Sequence, residues 1–330
     1  MRTAIYFTCI YTILFAAAVL AEQPKVEQPR PEHPRPDFRR DDWLNLNGTW
    51  QFRFDPEDQG LGRKWQESAD GARFDRQITV PFCWESPLSG IGRDSKEFLR
   101  TNSSSKNIGW YRRFVKVPKE FAGKRIWLRF GAVDWDARVW INSKPLGRHQ
   151  GGYTPFEFDV SDLAAPDEEI CIVVRVEDPT GPEQVLGKQV TRWYTPTSGI
   201  WQTVWLEARP ALHVGNLRLT PRHVGEIWSL DIEVDVADLR KTAGKKNPER
   251  KTKAERLVNI EFNSPAGAFP NRIVRAKMSG GKGRVWTTLE VPRPKTWSPA
   301  HPHLYDLVVR LSSHDSKGDD LKGGDSASVD

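Results

Sequence analysis

Residues 125–159 read RIWLRFGAVDWDARVWINSKPLGRHQGGYTPFEFD. Two runs inside this stretch, 126–130 and 139–141, alternate apolar side chains with others, which is the period of a half-buried strand. Residues 131–138 join them, 142–144 make a turn, and a Gly-Gly corner follows at 149–152. The pattern predicts consecutive β-strands with polar loops gathered at one end.

The same period recurs on both sides. In LNLNGTWQFRF (44–54), Asn47-Gly48 supplies a turn and places Trp50, Phe52 and Phe54 on one face of a strand. Short strands are expected at 78–80, stopped by Pro81, and at 110–117, stopped by Pro118. A continuous apolar run fills 170–176, and GIWQTVWLE (199–207) closes a first domain before Pro210. Two segments without period, 85–107 and 178–197, are long loops, and loops of that length are more often functional or disordered than structural. Beyond Pro210, alternating runs at 228–236, 257–262, 285–291 and 304–311 are short and regularly spaced, which suggests an immunoglobulin-like sandwich, although no Cys-Trp-Cys pattern is present. No helical period longer than about two turns appears beyond residue 21.

Composition agrees with an all-β chain of two domains. Among 330 residues, 38% are hydrophobic, enough for two cores. The 14 Trp fit either sandwich cores or carbohydrate stacking, and most lie inside alternating runs, which favours the core. Formal charge is +6, and eight basic residues fall in 240–256. That run has no aromatic or motif context, so it reads as a solvated loop and no nucleic-acid partner is expected. Residues 1–21 have a basic start, an apolar run and small residues before Ala21, as in a secretory signal. Cleavage there implies a secreted or periplasmic protein with no stable membrane anchor. Residues 22–38 are rich in Pro and charge and are expected to be a disordered leader. The domains then span 39–210 and 211–312, and 313–330 reads as a disordered tail or linker. Cys83 and Cys171 remain in the mature chain. Cys171 sits in an apolar run, and the two are expected to be unbridged. There is no metal-ligand spacing, phosphate loop or nucleophile elbow, so neither metal nor cofactor is expected.

Seven pieces stand in order: LNGTWQF (46–52), VPFCWESPLSGIG (80–92), WYRRFVKVP (110–118), AVDWDARVWIN (132–142), GGYTPFEFD (151–159), SGIWQTVWLE (198–207) and WSPAHPHLYDL (297–307). Together they resemble glycoside hydrolase family 2, which holds β-galactosidases, β-glucuronidases and β-mannosidases. The look is nearest to β-galactosidase-like members. The resemblance implies a jelly-roll, galactose-binding-like sandwich followed by an immunoglobulin-like sandwich. It also implies retaining hydrolysis of a terminal β-glycosidic bond, which uses two carboxyl groups about 5–5.5 Å apart. In the family both are glutamates on a barrel that follows these domains. Nothing in this sequence matches them, so no catalytic residue is assigned. Such a barrel needs about 250 residues, and the chain is therefore expected to be a truncated product or to work with a separately encoded barrel.

In the family, loops of the first domain reach the mouth of the barrel. Glu85, Ser86, Gln150, Arg192, Trp193 and Tyr194 match those positions and are expected to bind substrate, a carbohydrate. Trp193 and Tyr194 either stack on a sugar face or pack in a domain interface. Gly151 stands where some β-galactosidases carry an aspartate. Glu157 and Asp159 share one strand face but belong to a structural block. Asp134 and Asp136 have the same spacing and read as a solvent-exposed turn, and His149 reads as a structural corner residue. These features predict the scaffold and substrate rim of a secreted β-glycosidase; the alternative is a non-catalytic carbohydrate-binding or adhesion protein.

Overall fold

The computed structural model describes residues 28–67, 74–92, 107–179, 196–240, 256–314, 320–321 and 326–329. The expected signal segment and all but the ends of the basic run lie outside them.

The first domain consists of β1 (Trp43–Asn45), β2 (Gly48–Phe54), β3 (Arg76–Val80), β4 (Ile108–Lys116), β5 (Arg125–Phe130), β6 (Val133–Asp134), β7 (Asp136–Ile141), β8 (Lys144–Gln150), β9 (Phe156–Asp159), β10 (Glu169–Glu177), β11 (Gly199–Ile200) and β12 (Val204–Arg209). A sheet ordered β1-β12-β5-β9 packs on one ordered β3-β2-β4-β10-β7-β8, and β6 pairs with β11 in a short ribbon at one end. Trp50, Phe52 and Phe54 all enter the shared core, beside Leu128 and Phe130 of β5 and Val139 and Ile141 of β7. β10 reads as continuously apolar because both of its faces are covered. Ile172 and Val174 point into that core, whereas Cys171 and Val173 pack outward against Trp65, Trp110 and Trp140. The Trp110 and Trp140 rings stack at 5.6 Å, and Trp110 Nε1 donates to Asp55 at 3.1 Å. Cys83 and Cys171 are both free thiols, as expected.

The decisive stretch differs from its sequence reading in one respect. The join at 131–138 is itself strand, formed by β6 and the start of β7. Asp134 and Asp136 are therefore buried, at 2% and 3% exposure, and are no exposed turn. The β6–β11 pairing encloses the first, and the Arg148 side chain, reaching over from the neighbouring β8, ion-pairs with the second.

The second domain consists of β13 (Leu212–Val224), β14 (Ile227–Asp238), β15 (Arg256–Asn263), β16 (Arg272–Met278), β17 (Lys282–Glu290), β18 (Leu307–His314), β19 (Asp320–Leu321) and β20 (Ser326–Val329). β13-β14-β17 form one sheet, β16-β15-β18-β19 the other, and β20 pairs with β18. Ile232, Val234, Val258, Ile260 and Val309 fill the space between them. The sequence conceals β13 because its second half is exposed and carries Pro221, so no alternation is imposed on it. It also starts β18 too early: the strand begins at Leu307, and residues 304–306 stay outside the sheet.

Both expected disordered ends make contacts. Ser326–Val329 pairs with Leu307–Arg310. Asn45 Nδ2 donates to the Arg30 carbonyl at 2.8 Å, and Asn47 Nδ2 to the Pro29 carbonyl at 3.0 Å. Farther on, Phe38 is buried in the core of the second domain. Prolines stop this segment from forming secondary structure of its own but leave its carbonyls free to accept.

Where the domains meet, Glu207 on β12 is completely buried. Arg40 Nη1 reaches it at 2.8 Å, Arg129 Nη1 at 2.9 Å and Arg209 Nε at 2.6 Å. Burial alone would raise its pKa, but Arg209, Arg40 and Arg129 overcome this and hold the carboxyl far below the usual carboxylate range. Arg40 also donates to the Val214 carbonyl and lies 4.5 Å from the Phe38 ring centre. One ion cluster thus ties the first sheet to the opening strand of the second domain.

Candidate functional site

At the end of the first sandwich that carries β6 and β11, three carboxyl side chains approach one another. Glu85 follows Trp84, whose amide donates to the Ser198 carbonyl at 3.1 Å. Ser198 in turn donates to Glu85, from its amide to Oε2 at 3.0 Å and from Oγ to Oε1 at 2.7 Å. Asp134 ends β6 opposite Gly199 of β11. Its carboxyl lies flat on Gly152, where a Cβ would sit 2.4 Å from Oδ1. No donor among the described residues reaches it. Asp178 follows β10, is fully buried, and its amide donates to the Asn107 carbonyl at 3.0 Å. Asn107 and Ser198 lie at the far ends of the two long sequence loops, and Asp178 begins the second, so both loops are anchored here.

Burial and neighbouring negative charge disfavour ionisation of Glu85 and Asp134. Burial, followed by Asp178 and Glu85, pushes Asp134 up to about 8. Glu85 is pushed up to about 7, mainly by burial and against the opposing Ser198 hydrogen bonds. Near neutral pH Glu85 and Asp134 therefore hold protons as well as lone pairs.

Gly199 is the hinge of the arrangement, with a φ of 90°. A Cβ there would lie 2.3 Å from both Trp84 Nε1 and Tyr111 Oη. Those two atoms are hydrogen-bonded to each other, and Tyr111 Oη also accepts from the Ile200 amide at 3.2 Å. Gly199→Ala is expected to destabilise the chain by about 2 kcal/mol through overpacking and the positive φ. Urea unfolding measures this, and an unchanged midpoint would refute the close packing.

Of the expected contact residues, Glu85 sits in this cluster. Ser86 lies beside it, but its hydroxyl accepts from the Leu88 amide at 3.2 Å and caps a short turn. Gln150 is on β8, and its amide reaches Asp136 at 3.3 Å. Arg192, Trp193 and Tyr194 lie outside the described residues. His149 stacks on Phe156 at 4.2 Å, in keeping with a corner role. Glu157 is held by Arg129 at 2.9 Å and by Arg209 at 2.6 Å, and Asp159 by Arg125 and Ser161. Both are committed to structure.

The sequence reading did not find Asp178, Ser198, Tyr153 or Trp201. Trp201 Nε1 donates to the Gly152 carbonyl at 2.8 Å, and its ring meets Tyr153 edge-on at 5.8 Å. Tyr153 is 57% exposed, so an aromatic pair stands open beside the carboxyl cluster. One signal was available for Asp134: an aspartate enclosed by Ala132-Val133 and Trp135 in an otherwise apolar run.

Among the described residues, no group of three or more His, Cys, Asp or Glu is disposed to hold a metal ion. The family model for the glycosyl hydrolase family 2 sugar binding domain matches residues 44–210, and a second glycosyl hydrolase family 2 model matches 212–322. A β-galactosidase of Thermoanaerobacter pseudethanolicus is 28% identical over 210 residues, covering 62% of this chain and 26% of the relative. A β-glucuronidase of Paenibacillus borealis is 24% identical, covering 81% of this chain and 42% of its own length. Among solved structures, a calcium binding mutant of Bacteroides uniformis β-glucuronidase 2 superposes with a TM-score of 0.61 at 22% identity, over 88% of this chain and 32% of that one. The chain thus spans well under half the length of these relatives. With both sandwich domains matched in order, the chain belongs to glycosyl hydrolase family 2.

Proposed function

We propose that this chain is the sugar-binding and scaffold portion of a secreted or periplasmic glycosidase that hydrolyses a terminal β-glycosidic bond. The observation that carries this reading is the carboxyl cluster of Glu85, Asp134 and Asp178 beside the open Tyr153–Trp201 pair, at the loop end of a family 2 sugar-binding domain. A sugar hydroxyl is both donor and acceptor, and a partly protonated carboxyl pair answers both roles. The aromatic pair offers an apolar face to sugar C–H groups. Bond cleavage is assigned to a catalytic barrel, carried on a longer chain or by a separate one. Glu157 and Asp159, the closely spaced carboxylates on β9, are neutralised by arginines and hold no proton to deliver.

The chain alone is expected to bind methyl β-galactoside weakly, with Kd on the order of millimolar, because few contacts offset the cost of immobilising the ligand. Asp134→Asn should weaken that binding. No turnover of aryl β-galactoside, β-glucuronide or β-mannoside above background is expected until a family 2 barrel fragment is added. Robust turnover by the chain alone, abolished by Glu157→Gln, would overturn the assignment and place catalysis on β9.

A further inference from the structure

The segment expected to be a free leader instead walls a cleft. From Gln28 to Arg39 it crosses Pro81 and the turn at 201–203, and between them lies a space of ≈ 540 Å³. That volume is within the range of small-molecule sites, about 300–1,000 Å³. Arg30, Glu32, His33 and Arg39 line one side, with Trp201 and Gln202 on the other.

Both walls are fixed. The leader is clamped at its start, where Gln28 Nε2 donates to the Asn45 carbonyl at 3.0 Å and Asn45 and Asn47 bond the carbonyls of Arg30 and Pro29. At its end Phe38 is buried in the second domain. His33 is set edge-on against Trp43 at 4.7 Å. On the other wall, the bond from Trp201 Nε1 to Gly152 and the edge contact from Tyr153 hold the indole plane in place. Arg30 and Glu32 remain 68% and 63% exposed and 4.0 Å apart, a loose pair that a ligand could enter. An immobilised aromatic face, ringed by separate donors and acceptors in an open cleft, is the composition that a pyranose ring requires: C–H groups on its face and hydroxyls around its edge.

We propose that the cleft between the leader and the 201–203 turn is a second saccharide-binding site, which takes further units of a β-linked oligosaccharide over Trp201. Because Trp201 bonds to Gly152, on which Asp134 lies, the cleft begins where the carboxyl cluster ends. The inference goes beyond the reading of that cluster and does not require the cluster itself to hold a sugar.

The test compares the intact chain's affinity for methyl β-galactoside with that for β-1,4-linked galactotetraose, cellotetraose and xylotetraose, by calorimetry and tryptophan fluorescence. At least one tetrasaccharide is expected to bind about tenfold more tightly than the methyl glycoside. Trp201→Ala should remove that gain. The double variant Arg30→Ala/Gln202→Ala should also remove it, and it alters exposed side chains that the fold does not need. Asp134→Asn should weaken the methyl glycoside and leave the cleft's gain in place. Tetrasaccharide binding that depends on Arg30 and Gln202, with no detectable methyl glycoside binding, would support the cleft and refute the cluster as a sugar site. Equal affinities for all ligands, or a gain that survives the double variant, would overturn the proposal.

Discussion

Glu207→Gln is expected to lower the unfolding free energy by about 3–5 kcal/mol, the usual cost of leaving a buried ion without its partner. The substitution keeps shape and volume, removes the charge, and turns one accepting oxygen into an NH2 donor facing the donors of the arginines and Trp205. Arg129 and Arg209 would then keep Glu157 as a counter-ion in place of the shared Glu207. Trp127 and Trp205 seal the cluster: the Arg209 guanidinium lies 4.4 Å from the Trp127 ring centre and that of Arg129 4.9 Å from Trp205. Water cannot easily replace the lost carboxylate there, and added salt screens a buried pair only weakly. The loss should therefore persist at high ionic strength. Because Arg40 also holds the Val214 carbonyl, the second domain should unfold at the same reduced urea concentration as the first. A loss under about 1 kcal/mol, comparable to an exposed ion pair, would show that the cluster contributes little.

The carboxyl cluster at the loop end should make stability fall as pH rises from about 4.5 to 8. Glu85 and Asp134 have folded-state pKa values of about 7 and about 8, both above their ordinary values. Below the ordinary carboxylate range, both folded and unfolded chains are protonated and these groups contribute no difference. Between that range and the folded values, the unfolded chain releases protons that the folded chain retains, so each unit of pH costs stability. Above about 8 the penalty is complete and levels off. The Glu85 part alone is about 3 kcal/mol at roughly 1.4 kcal/mol per unit, and the larger Asp134 shift adds to it. Glu207, Glu157 and Asp159 act in the opposite sense, because their folded values are lowered: their contribution is present above the ordinary carboxylate range and is lost as pH falls below it. The two sets together place maximal stability near pH 5. In Glu85→Gln/Asp134→Asn the fall between pH 5 and 8 should disappear, leaving the double variant more stable than the parent at pH 8. Thermal midpoints across this range decide the matter, and parallel profiles for parent and variant would show that these carboxyls do not titrate as described.

The sequence alone determined the all-β architecture and the two sandwiches, because alternation is a local property. Trp50, Phe52 and Phe54 had to share a face, and they do. Seven ordered pieces sufficed for the family. The sequence could not determine what becomes of a polar residue once two distant segments meet. Asp134 looked like a turn residue because its spacing to Asp136 is equally that of an exposed loop; only pairing with Gly199, 65 positions along, encloses it and raises its proton affinity. Ser198 and Asp178 carry no local signal, and they matter only because β6 and β10 end where β4 and β11 begin. The leader misled for a related reason. Pro-rich composition excludes helix and sheet, but it does not exclude docking, which depends on donors from Asn45 and Asn47 and on a pocket for Phe38 in another domain. Periodicity reports which face of a strand is buried, whereas the chemistry of a buried carboxyl depends on neighbours brought together only by the sheet.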